Sequence, residues 1–109
     1  MNDAAPPKPP DTLLTLLLPA DLETPVIDRL VENPDWATGF TCSTADGHGS
    51  AMQPRDPTEL VRGRSRRCQI RIALSSGEAD ALIAHLRGVF ANPDIVYWTI
   101  SLDSFGRLS

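Results

Sequence analysis

Apolar and polar positions change their period several times along this chain, and each change marks an element. Residues 12–18, TLLTLLL, form a nearly continuous apolar run closed by Pro19; its length and the proline favour a buried strand. Over residues 19–34 the apolar positions Leu22, Val26, Ile27, Leu30 and Val31 recur at spacings of three and four, one stripe of a helix. Asp21 and Glu23 suit its N-terminal end and Pro34 stops it. Pro25 fits if the helix begins only two or three residues earlier. Residues 37–44, ATGFTCST, alternate, with Phe40 and Cys42 on one face and Thr41 and Ser43 on the other. A stretch of Gly, Pro and Asp follows, too long to be a simple turn. Alternation resumes in RRCQIRIAL, residues 66–74, with Cys68, Ile70, Ile72 and Leu74 inward. Residues 75–90 make the clearest helix: a serine cap, Glu78 in the first turn, and the stripe Leu82, Ile83, Leu86, Val89 and Phe90. Residues 95–102, IVYWTISL, are β-branched and aromatic, a last strand.

The order is β-α-β-β-α-β, which predicts an α+β, ferredoxin-like domain: a four-stranded antiparallel sheet with two helices on one face. The domain spans residues 12–102, with a long loop over 46–66. Residues 1–11 read as a disordered, proline-rich leader and 103–109 as a C-terminal tail. The first strand should be central, and it is apolar on both sides: Leu14, Leu16 and Leu18 one way, Leu13 and Leu17 the other. The last strand has the same character. With helices on one face only, a second surface has to cover the other face, and self-association through the sheets is the economical way to do it.

Composition narrows the function classes. At 109 residues the chain makes one small domain. No run of 18 apolar residues spans a bilayer. The N-terminus, with four prolines in ten residues, lacks the pattern of a secretory signal, so the expected compartment is the cytoplasm. A formal charge of −4 argues against general nucleic-acid binding.

Yet the positive charge is concentrated. Six of the nine arginines, Arg55, Arg62, Arg64, Arg66, Arg67 and Arg71, fall in the loop and the strand after it. An arginine fork matches phosphate or carboxylate oxygens, and glycines let the backbone approach an anion. Gly47, His48, Gly49, Arg62, Gly63, Arg64, Arg66 and Arg67 are therefore the candidate ligand-binding residues. The other reading of the cluster is a solvated edge that pairs with acidic groups of a neighbouring subunit. A P-loop is absent, since the only lysine is Lys8. The strand RRCQIRIAL carries no aromatic, unlike an RNA-recognition sheet. Equal hairpin arms set Cys42 opposite Cys68 on the helix-covered face. Two thiols there, with His48 in the loop, are the candidate metal ligands; buried structural cysteines are the other reading. No nucleophile and base stand at a supporting spacing, so the expectation is a protein that is not an enzyme.

The segments LLTLLLP at 13–19, GFT at 39–41, GHG at 47–49, LVRGRSRR at 60–67, YW at 97–98 and GRL at 106–108 together resemble the PII-like superfamily. More narrowly, they resemble a group of short PII-like proteins associated with heavy-metal efflux systems; the copper-tolerance (CutA-like) trimers share the architecture. The resemblance implies a homotrimer with its sheets at the centre. It implies ligands, adenine nucleotides in PII proteins or another small anion, in clefts between subunits at the base of the loop. It also implies a loop that docks on a partner such as a membrane transporter or efflux component. A metal-responsive accessory to an efflux system and a structural trimer with a basic docking loop are the alternatives. The lysines and tyrosine typical of the PII loop are absent here, and arginines take their place.

Overall fold

The computed structural model describes residues 9–35, 39–48 and 65–108. Four strands and two helices follow one another as β1 (Thr12–Pro19), α1 (Glu23–Glu32), β2 (Thr41–Gly47), β3 (Ser65–Leu74), α2 (Ser76–Phe90) and β4 (Val96–Ser101). A 3-10 turn over Ala20–Leu22 joins β1 to α1. The strands form one antiparallel sheet in the order β2-β3-β1-β4. This is the ferredoxin-like arrangement that the alternating periods predict, with β1 central.

β1 is central because it is the strand that both neighbours can cover. Its register sets Leu14, Leu16 and Leu18 beside Ile72, Ile70 and Cys68 of β3. These side chains, with Val26 and Leu30 of α1 and Ala79, Leu82 and Leu86 of α2, form the core. Removing a leucine of this size from water stabilises the fold by about 2 kcal/mol. Val31 and Val89, which the helical stripes include, stand exposed instead. The buried stripes are narrower than the sequence pattern, because each helix covers only part of the sheet.

The helix ends are set locally. Pro25 lies in the first turn of α1, where its missing N–H is no loss. Ser75 caps α2 with a reciprocal pair of bonds: its Oγ accepts from the Glu78 N–H at 3.2 Å, and its own N–H donates to Glu78 Oε1 at 3.0 Å. Asp11, at the end of the expected leader, belongs to the fold. Its carboxylate accepts from the Ser76 N–H at 2.9 Å, and its carbonyl accepts from the Leu102 N–H at 2.8 Å. One residue thus ties the start of β1 to the N-terminus of α2 and to the end of β4.

Among the described residues no helix covers the second face of the sheet. Val96, Trp98 and Ile100 of β4 lie there, opposite Leu17, Thr15 and Leu13, and are 44%, 38% and 53% exposed. Thr15 is nonetheless buried, flanked by Arg71 on one side and Trp98 on the other.

Candidate functional site

The hairpin of β2 and β3 brings the two halves of the predicted ligand site to one end of the sheet. Gly47 pairs with Ser65, Asp46 with Arg66 and Ala45 with Arg67. Gly47 is buried and His48, the next residue, is exposed. β2 continues through Gly47 and β3 begins at Ser65, so the strands reach into the segment read from sequence as loop 46–66. Gly49, Arg62, Gly63 and Arg64 lie outside the described residues.

Arg66 and Arg67 do not act from the same side. Adjacent strand residues point to opposite faces, so Arg66 shares the helix face with Cys68 and Arg67 shares the open face with Gln69. Arg66 is exposed. Arg67, set between Ala45 of β2 and Pro19 of β1, is only 4% exposed. Its Nη1–H donates to the Asp94 carbonyl at a long 3.5 Å, and its Nε meets no hydrogen-bond partner among the described residues. A guanidinium so far removed from water costs several kcal/mol unless its donors are satisfied. Among the described residues Arg67 therefore keeps one buried donor unused.

Sequence reasoning missed Asp94. Its turn is shaped by Asn92, whose Oδ1 accepts from the Asp94 N–H at 2.8 Å. The signal was topological: β4 runs antiparallel to β1, so the turn before β4 reaches the same end of the sheet as the start of β3.

The two thiols are neighbours, but not opposite one another as equal hairpin arms predict. Cys42 pairs with Ile70, and Cys68 pairs with Thr44. The same register continues through Ala45, Asp46 and Gly47, so the hairpin is centred one residue later than equal arms about residue 55 would place it. Both cysteines keep the helix-side face. Cys68 is buried and Cys42, on an edge strand, is exposed, which corrects the reading of two buried structural cysteines. Burial, then the Glu23 carboxylate and Cys42, push the Cys68 thiol up to about 12. The Cys42 thiol, though exposed, is raised as well, first by the partial desolvation it meets beside the sheet and then by Glu23. His48 lies four residues past Thr44, about 13 Å farther along the strand from Cys68, so it does not join the thiols within one chain. No group of three metal-ligating side chains converges among the described residues. His85 of α2 is half-buried.

A groove with a volume of about 370 Å³ lies on the helix side beside β4, lined chiefly by Leu16, Ile83, Leu86, Phe90, Ile95 and Tyr97. At its rim the Arg87 Nη2–H donates to the Tyr97 hydroxyl at 3.5 Å. None of the described sequence-derived site residues lines it.

No helix among the described residues is long and apolar enough to cross a membrane. The model of a family described as "Protein of unknown function (DUF3240)" matches residues 8–109. Curated proteins give no match. Among solved structures, a DUF3240 family protein from Shewanella baltica is 22% identical, with a TM-score of 0.71, covering 94% of this chain and 100% of its own. CPII, a nitrogen regulatory PII-like protein from Thiomonas intermedia bound to ADP, AMP and bicarbonate, is 18% identical, with a TM-score of 0.66, covering 90% of this chain and 94% of its own. CutA from Synechococcus elongatus is 12% identical, with a TM-score of 0.61, covering 92% of this chain and 83% of its own. At these identities the likeness is one of fold.

Proposed function

The chain belongs to the DUF3240 family, and from that premise, on a fold similar to PII-like and CutA proteins, we propose that it is a regulatory protein that binds a small anion or adenine nucleotide beside Arg67. The observation that carries this reading is the Arg67 guanidinium: 4% exposed, with an Nε that meets no partner among the described residues, at the end of the sheet where Gly47, His48 and Arg66 also sit. Arg62 and Arg64 adjoin it in the chain and add positive charge. An anion is the partner that such donors lack. That CPII was solved with ADP, AMP and bicarbonate makes these the ligands to try first.

The site works in a homotrimer whose open sheet faces meet at the centre, with each cleft completed by a neighbouring subunit. The apolar row Val96, Trp98 and Ile100 on the uncovered face supports that assembly. Ligand binding changes the presentation of the 46–66 segment, which docks on a partner in the cytoplasm. A membrane transporter, such as a heavy-metal efflux pump, is the partner class to examine. The protein performs no catalysis of its own.

Thermal-shift titration of the full chain with ATP, ADP, AMP, cyclic AMP and bicarbonate tests the reading. A ligand at about a hundred times its dissociation constant stabilises the native state by about 2.7 kcal/mol, a readable rise in Tm. The expected result is a rise with one of these anions that disappears in Arg64→Ala and in Arg67→Met. No rise with any of them, or one that both variants keep, overturns it and leaves the basic segment as a docking surface for an acidic protein.

A further inference from the structure

Away from the arginines, the register assembles a second group of chemistry-bearing side chains. Cys42 and Cys68 occupy the same face of neighbouring strands, offset by two residues. Diagonal neighbours of this kind have Cα atoms about 7–8 Å apart and Cβ atoms somewhat closer. A disulfide requires Cα atoms within about 6.8 Å, so this register is ill suited to joining the sulfurs directly. A metal ion held at about 2.3 Å from each thiolate spans sulfurs as much as about 4.6 Å apart, a separation that diagonal cysteines reach without moving the backbone.

The surroundings are asymmetric. Cys68 is 1% exposed and sits beside Leu18 at the end of β1, within the core. Cys42 is exposed on the edge strand. Glu23, the first residue of α1, is near enough for its negative charge to raise both thiols. One sulfur is thus anchored in an apolar wall and the other opens to solvent, which gives a metal ion a route in.

From this juxtaposition we infer that Cys42 and Cys68 form a two-coordinate site for a soft, monovalent d10 metal ion, copper(I) being the common biological member of the class. Thiolate ligands select such an ion. Its preference for two sulfurs matches a group in which no third ligand converges among the described residues; tetrahedral zinc requires more donors. On binding, two S–H bonds break and two sulfur–metal bonds form, with no change of oxidation state. Both protons are released to solvent.

The test is an anaerobic titration of the reduced full chain with copper(I) and, in parallel, silver(I), following the ultraviolet charge-transfer absorbance of metal-bound thiolates. The expected result is a break at one ion per chain, no saturable response to zinc, and loss of the break in Cys42→Ser and in Cys68→Ala. Cys42 is exposed, so its serine variant should keep the metal-free melting temperature of the wild type, and the result does not depend on how Cys68→Ala folds. The Arg67→Met variant should bind the metal as the wild type does, which separates this site from the anion site. A titration with no break, a break that persists in Cys42→Ser, or zinc binding at the same stoichiometry each overturns the inference.

Discussion

Ala91 ends α2 in the left-handed region, at φ 45° and ψ 44°, with its N–H donating to the Arg87 carbonyl at 3.0 Å. A side chain with a Cβ costs about 1–2 kcal/mol in that conformation, whereas glycine adopts it freely. Ala91→Gly relieves the strain but adds freedom to the unfolded chain, an opposing effect of about 0.4–1 kcal/mol. The net expectation is a stabilisation of about 0.5–1 kcal/mol, seen as a Tm raised by a few degrees. An unchanged or lower Tm would mean that the αL conformation carries no strain here. Arg67 is the opposite case, a costly residue with a reason to stay. Its position in a basic run was legible in the sequence; its burial was not. In the register it lies between Ala45 and Pro19, and it reaches the Asp94 carbonyl in the turn before β4, a contact that no local pattern announces.

At the scale of the element, the helices were the easier reading, because a 3.6-residue period and a cap are local. Ser75 and Glu78 announce the start of α2 in four residues, and the reciprocal bonds between them are present. Ser75→Ala should cost about 1 kcal/mol, measured as a lower midpoint in urea with an unchanged slope; full stability in that variant would show that the Asp11 carboxylate on Ser76 suffices to hold the helix end. The β2–β3 hairpin was harder. Alternation identified both strands and the shared face of Cys42 and Cys68, but not their register. Ala45, Asp46 and Gly47 have poor strand propensity and read as a turn, yet they pair fully with Arg67, Arg66 and Ser65. Pairing with a strong partner strand outweighed local preference. The two-residue shift in register is what moves the thiols from a direct pair to a diagonal one.

For the molecule as a whole, the informative feature is a sheet with one face too apolar for water. The sequence showed it early, in a β1 with leucines on both sides, because a strand's two faces are read directly from alternate residues. Which surface covers that face is a property of the assembly and has no local signature. Trp98 sits at the middle of the exposed row, between Val96 and Ile100, and an indole buries about 150–250 Å² when covered. Placing a charge there would leave an unpaired ion in the centre of an interface, a penalty of several kcal/mol repeated in every subunit. If the protein is the proposed trimer, Trp98→Lys should therefore convert it into monomers at roughly micromolar concentration, the range in which an interface of standard size, about 800 Å² per partner, still holds. Size-exclusion chromatography with light scattering reads both proteins. The charge lies on the face away from the core, so the variant's monomers should keep the far-ultraviolet circular dichroism of the parent. A parent that is itself monomeric at this concentration would sink the trimer, and with it the idea that a neighbouring subunit completes the cleft at Arg67. A trimer that survives Trp98→Lys would move the interface to another surface and leave the apolar face of β4 open for a different partner.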